Sequence, residues 1–407
     1  MAAPHTTRPL TNSRMLYARA RRVILGGTQT ISKQPERYDA ERFPTYIERG
    51  YGCRLRDVDG NEYVDFVMAL GPIVLGYCHP AVDAAVRAQL EKGVIYSGNS
   101  PLEVELAEKL VRIIPCAQMV RFFKTGAEAT SAAVRIARNF TGRELVVSVG
   151  YSGWHDWWTA KNSEPGVPAA LRQLTLDLPY GDGARCRDLF ERHGRDVACL
   201  ILEPVATSFS RSFIEEAVAT ARAHGALVVF DEIITGFRAA LGGMQQRLGI
   251  TPDLAAFGKA MANGFPISAV AGRGDVFRAA EKCWISSTFG GEALSLAAAL
   301  ATISQLEEGA IEHIRRMAER LARGWQVLLQ QCPAVNAQVQ GSESLPVLFF
   351  PPESRRQEDI FIRSMLEQGF VVRRNHYWFT TASHAAEDIE RTLDACHRAF
   401  QRIEASK

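Results

Sequence analysis

The sequence predicts an α/β protein in which a large domain holds a mainly parallel sheet between helices and a smaller α+β domain completes the chain. Three observations predict it. From about residue 100 to 290, short unbroken runs of Val, Ile, Leu and Phe alternate with amphipathic helical stretches, the pattern of parallel strands covered on both faces. After Gly291 the pattern changes to long helices around one apolar run. No repeat or low-complexity linker interrupts the 407 residues, a length sufficient for one large domain and a smaller one.

Near the start, LYARARRVILGG reads as an amphipathic helix closed by a glycine pair. Arg8, Arg14, Arg19, Arg21, Arg22 and Lys33 precede the first acid, a bias that also admits an organellar transit peptide. GCRLRDVDGNEYVDF reads as a hairpin around Asp-Gly. Helical PLEVELAEKLVRII, EATSAAVRIARNF and FIEEAVATARAHG then alternate with apolar MVRFF, ELVVSV, CLILEPV and ALVVFDE. EALSLAAALATISQLEEG, the run SLPVLFF and AAEDIERTLDACHRAFQRI close the chain. The expected domain edges place 1–70 with the small domain, 71–300 as the large domain, and 301–407 as the C-terminal small domain.

Composition excludes several function classes. Lys and Arg total 47 against 45 acids, so no global field draws nucleic acid or a membrane surface. No apolar run approaches the roughly 18 residues of a membrane span. Eight cysteines are scattered without metal-ligand spacing, as expected of reduced thiols in a cytoplasmic protein that holds no metal and acts on small molecules.

Three segments carry chemistry. In LVVFDEIITGFR an apolar strand ends in Asp231, at the sheet edge where open α/β folds bind ligands. Strand alternation puts Ile233 on the same face, and an acid beside an apolar contact suits a flat heteroaromatic ring. Strand-end aspartates also bind metals or cap helices. DLAAFGKAMANGFP places Lys259 between a small-residue turn and a Gly-Phe-Pro loop. A lone lysine is ordinarily a solvated charge, but a desolvated one can attack a carbonyl. FFKTGAEATSAAVRIAR is a strand, a turn and a helix. Thr125, Gly126 and Ala127 there could cradle a phosphate at the helix N-terminus or form an ordinary cap.

In this order, TGAEA, LILEPV, FDEIITGFR and FGKAMANGFP resemble the class III aminotransferases, within them the glutamate-1-semialdehyde aminomutase-like branch. The resemblance runs from GGTQT near residue 26 to SHAAEDIERTL near the end. It implies a pyridoxal 5′-phosphate (PLP) enzyme of fold type I and a homodimer with shared active sites. Carried over by position, it implies that Gly126 and Ala127 hold the phosphate, Tyr151 stacks on one ring face and Ile233 covers the other. It further implies that Asp231 pairs with the pyridine nitrogen and that Lys259 carries the cofactor as a Schiff base. Thr288 of STFGGEALS would reach the phosphate of the partner subunit's cofactor. Glu203 of LEPV lies near the ring or makes a buried structural bond; Trp154 and His155 line the pocket, with packing an alternative for Trp154.

Three substrate positions depart from the aminomutase pattern. Lys33 of GGTQTISK stands where the resemblance expects an arginine that grips the substrate carboxylate, and a bidentate fork becomes a point charge. Leu70 of ALGP replaces a large aromatic, and His376 of RRNHYWFTTASH replaces a glutamate. Arg373 or Arg374 could bind a donor carboxylate or form a solvated surface pair. The expectation is therefore an intermolecular aminotransferase, with L-glutamate as donor and an aldehyde or ketone of a polar acceptor. SK and GFP in these places resemble enzymes that aminate oxidised sugars in aminoglycoside antibiotic assembly. The alternatives are the aminomutase itself and a non-catalytic binding protein on the same fold.

Overall fold

A computed structural model describes residues 8–205 and 210–406; Met1–Thr7, at the start of the basic segment, lie outside the described residues. The chain divides into two compact units. The terminal unit comprises Met1–His79 and Glu312–Lys407, and the central unit comprises Pro80–Ile311. The breaks fall later than the edges expected at 70 and 300. Residues 71–79 stay with the terminal unit through the Gly52–Tyr77 bridge and the bond from the Ala382 amide to the Val74 carbonyl.

The terminal unit opens with the helix Thr11–Val23, and the glycine pair follows it, both residues left-handed at φ 69° and 74°. The hairpin contributes β2 (Arg54–Asp57) and β3 (Glu62–Asp65), joined antiparallel after β1 (Ile47–Tyr51). Next comes an irregular turn in which Met68, Ala69 and Leu70 have φ of 46°, 54° and 74°, followed by Gly71 at 102°. Left-handed backbone costs an L-residue about 1–2 kcal/mol each, so something must brace it. Buried Asp65 does, accepting the Val67 amide at 2.8 Å, the Met68 amide at 3.1 Å and the Tyr77 hydroxyl at 2.7 Å.

The central unit is built on seven strands: β4 (Met119–Phe123), β5 (Leu145–Val149), β6 (Thr175–Asp177), β7 (Val197–Leu202), β8 (Leu227–Asp231), β9 (Leu254–Phe257) and β10 (Ser268–Gly272). Their order is β4-β10-β9-β8-β7-β5-β6. β6, β5, β7, β8 and β9 run parallel, while β10 is antiparallel to both its neighbours. Every residue of β7, β8 and β9 is buried, which is why these strands read as unbroken apolar runs. The helix Gly126–Thr141 packs on the sheet through Ala129, Ala132, Ala133 and Ala137, small residues that permit close approach.

Back in the terminal unit, β11 (Gln338–Ser342) and β12 (Leu345–Phe349) form a separate ribbon, and β13 (Phe370–Val371) joins β3 in parallel. The eight cysteines are unpaired. Among the described residues no helix is long and apolar enough to cross a membrane.

Candidate active site

Because β10 is antiparallel to both β4 and β9, β4 points the same way as the five parallel strands. The carboxyl ends of β4, β5, β7, β8 and β9 therefore share one sheet edge. Thr125–Ala127, Tyr151, Glu203, Asp231 and Lys259 all lie at those five ends, at the edge where α/β folds place ligands. Ser268, the first residue of β10, arrives at the same edge and donates its hydroxyl to the Thr125 carbonyl at 2.7 Å.

Thr125 caps the helix Gly126–Thr141, the alternative the sequence left open for it. Its amide donates to Glu128 Oε2 at 2.7 Å, and its hydroxyl accepts the Glu128 amide at 3.3 Å. Both polar groups are thereby spent on a capping box. The amides of Gly126 and Ala127 have no partner among the described residues. They are the orphan donors that make a helix N-terminus an anion site.

Asp231 is 3% exposed. Burial pushes its carboxyl up to about 6, against the pull of the Ile233 amide, the Ser152 hydroxyl and Lys259. The strand ends at Asp231, so the expected pleat alternation does not reach Ile233. Ile233 lies in the following turn, its amide donating to Asp231 Oδ1 at 3.2 Å. Its side chain is wedged between glycines, and a methyl group would lie 3.1 Å from it at Gly126 and 3.3 Å at Gly258. Adjacent Glu232 serves the fold, accepting the Met244 and Gln245 amides at 2.7 and 2.8 Å.

Glu203 is pushed up to about 8 by burial and then by the charge of Asp231, with Lys259 and the Tyr151 amide opposing. Asp231 and Glu203 are thus two carboxyls at the same edge, both pushed up by burial, and the charge of Asp231 pushes Glu203 further. Lys259 follows β9 with φ of 41°, a conformation that a non-glycine residue holds only when its surroundings enforce it.

Tyr151 is 59% exposed, and its ring meets Trp158 edge-on at 4.9 Å and 74°. Trp154 is 71% exposed and stands edge-on to His155 at 5.0 Å. His155 is engaged through Nδ1 with Ser131 Oγ at 2.7 Å, so the structure gives it an anchoring contact that the pocket-lining expectation did not include. Thr288 is exposed and lines a cleft of about 610 Å³ with Ile95, Tyr96, Val104 and Phe122.

The remaining expected substrate residues belong to the terminal unit. Lys33 is exposed and close enough to Asp65 to draw its carboxyl down. Leu70 sits in the left-handed turn, and the His376 ring meets Tyr377 at 5.5 Å and Phe379 at 5.8 Å. Arg374 does not suit the substrate role. Nε and Nη2 donate to the Tyr38 carbonyl at 3.1 and 2.6 Å, and Nη1 forms an ion pair with Asp359 at 2.5 Å, so the guanidinium is engaged within the terminal unit. Its neighbour Arg373 is half-buried and forms no ion pair among the described residues; burial and the charge of Arg37 lower its pKa while Tyr38 opposes.

The family description "Aminotransferase class-III" matches residues 37–400. The chain belongs to the class-III aminotransferases. This class-III aminotransferase is 34% identical to a glutamate-1-semialdehyde 2,1-aminomutase of Syntrophobacter fumaroxidans, over 96% of this chain and 98% of that one. Among solved structures it resembles the PLP internal aldimine form of the FumI protein of Sphingopyxis sp. MTA144, with TM-score 0.91 and 30% identity over 97% of each chain. It also resembles an omega-transaminase from Sphaerobacter thermophilus, with TM-score 0.88 and 26% identity over 96% of this chain and 97% of that one.

The cofactor of this aminotransferase is pyridoxal 5′-phosphate, and the residues present fit it. The unspent amides of Gly126 and Ala127 suit a phosphate, and two glycines leave room beside Ile233. The buried Ser152 hydroxyl lacks a well-aligned partner yet lies close enough to draw the Asp231 carboxyl down. Sequence reasoning missed Glu128, Ser131, Ser152 and Ser268. Glu128 was within reach, since Thr-Gly-Ala-Glu is a capping-box pattern. The three serines carry no local signal because tertiary contacts alone recruit them.

Proposed function

We propose that this class-III aminotransferase moves an amino group from an amino-acid donor, with L-glutamate the first to test, to an aldehyde or ketone on a separate polar acceptor. The carrying observation is the convergence of Lys259, Asp231, Glu203 and two unspent helix amides at the ends of neighbouring strands. Bound PLP supplies an electron sink for the charge left when the donor loses its α-proton. Gly126 and Ala127 would hold its phosphate, with Thr288 of the partner subunit as a second contact. Asp231 would keep the ring nitrogen protonated, while Tyr151 and Ile233 cover the two ring faces. Lys259 would accept the α-proton as base and return it as acid. In this reading the central unit is the large cofactor domain and the terminal unit the small one.

Support for a separate acceptor comes from Lys33 and Leu70, which stand where the aminomutase pattern has an arginine and a large aromatic. Arg373, which forms no ion pair among the described residues and feels the charge of Arg37, would bind a donor carboxylate in this reading. A homodimer through the Thr288 face is supported by the exposed Ile95, Tyr96, Val104 and Phe289 around it. The three relatives named above do not point to a sugar, so a sugar acceptor is left to substrate screening. The aminomutase is the second reading, favoured by the name of the Syntrophobacter relative.

The deciding test is the absorbance of the PLP-loaded enzyme with excess L-glutamate and no acceptor. Loss of a band near about 420 nm with growth near about 330 nm, absent in Lys259→Ala, is expected. An unchanged band with glutamate, together with turnover of glutamate-1-semialdehyde, would establish the aminomutase instead.

A further inference from the structure

The loop after β5, which presents Tyr151, is tied to the helix Gly126–Thr141 at successive points. Gly153, at φ 104°, lies against the first turn, where a methyl group would come within 2.8 Å of the Ala127 Cβ. Thr130 donates its hydroxyl to the Ser152 carbonyl at 2.8 Å. Ser131 then makes two bonds, to Trp157 Nε1 at 2.8 Å and to His155 Nδ1 at 2.7 Å.

The chemistry of the indole fixes the direction of one of those two bonds. An indole N–H can only donate, so Ser131 Oγ accepts from Trp157. With a hydrogen and a second lone pair left, the hydroxyl meets His155 Nδ1 as donor or acceptor according to the imidazole tautomer. One serine thus joins two residues of the loop, four and six positions after Tyr151, to the helix whose first amides face the phosphate position. The exposed Tyr151 ring meets Trp158 edge-on, and the loop backbone beneath it sets where it stands.

We propose that Ser131, with Trp157 and His155, is a positioning residue that sets the Tyr151 ring over the cofactor and so governs how tightly PLP is retained. The inference rests on the cofactor placement proposed above. Losing the serine hydroxyl removes both bonds while leaving the helix residue otherwise unchanged. The hydroxyl's two bonds go to Trp157 and His155 in the segment that follows Tyr151, so its effect on the cofactor passes through that segment.

The experiment is PLP titration of apoenzyme with visible circular dichroism of the bound chromophore, whose signal reports how the ring is held. Ser131→Ala and Trp157→Phe should each weaken PLP binding by about tenfold and reduce the dichroic band, as expected for a hydrogen bond of ordinary strength. Ser131→Thr, which keeps the hydroxyl, should restore both. Thermal unfolding of each apoenzyme confirms that the variants fold. If Ser131→Ala and Trp157→Phe leave affinity and dichroism as in the parent while Tyr151→Ala alters both, the positioning role is overturned and the cofactor placement stands. If Tyr151→Ala also alters neither, the placement fails and takes the inference with it.

Discussion

Glu128 and Thr125 accept each other's backbone amides, at 2.7 and 3.3 Å. This reciprocal cap spends the Thr125 amide inside the protein and leaves the next two for a ligand. Glu128→Ala should therefore lower the stability of the apoenzyme by about 1 kcal/mol. A urea unfolding curve measures it. The same variant frees the Thr125 amide, so its PLP affinity should fall by less than that of Gly126→Ala; the reverse order would contradict the division of labour between these residues.

Gly126 owes its identity to Ile233. A methyl group at 126 would sit 3.1 Å from two atoms of the isoleucine, closer than side-chain carbons ordinarily pack, so Ile233 would have to shift to admit it. Gly126→Ala should weaken PLP binding by roughly tenfold, the lower end of overpacking penalties. Ile233→Val in the same chain should recover part of the loss. A double-mutant cycle of PLP affinities reads the coupling, and strict additivity would show that the contact is not limiting.

Glu203 is pushed up from an ordinary 4.5 to about 8 because burial and then Asp231 disfavour its charge. The folded state then holds a proton that the unfolded state releases, so this group's stabilising effect is complete at low pH and is lost as pH rises through about 8. Asp231, pushed up to about 6, acts the same way at lower pH. Apoenzyme should unfold more easily at about pH 8.5 than at about pH 6, and Glu203→Gln should flatten that dependence. Parallel melting profiles for the two proteins would count against a neutral Glu203.

Arg373 and Arg374 are neighbours with opposite circumstances. Arg374 is committed to the Tyr38 carbonyl and Asp359, so Arg374→Ala should cost stability, by roughly 1–3 kcal/mol, at little change in substrate preference. Arg373 has no ion pair among the described residues. Arg373→Gln should raise KM for carboxylate donors, leave KM for a neutral amine donor unchanged, and barely move the melting temperature. Steady-state kinetics with both donor types checks the pair.

By itself the sequence determined the class of the fold and the residues that meet at the candidate site. Buried parallel strands must be apolar along their whole length, so β7 and β8 announced themselves, while Asp231 and Lys259, ambiguous singly, were singled out by the order and spacing of the motifs that hold them. β10 escaped notice, since its Ala, Gly and Ser residues are neither β-branched nor alternating. Yet β10, antiparallel between β4 and β9, brings the helix amides of Gly126 and Ala127 to the same edge as Lys259.

Only the tertiary structure decided which polar groups remain available there. Arg373 and Arg374 were indistinguishable in the chain, and the fold engages Arg374 with the Tyr38 carbonyl. Ser131, Ser152 and Ser268 looked like nothing and hold the site's loops or face its carboxylate. A hydrogen bond between residues more than twenty apart leaves no periodicity or local pattern to read. Each such bond exists because folding strips water from both partners and makes an unmatched polar group expensive.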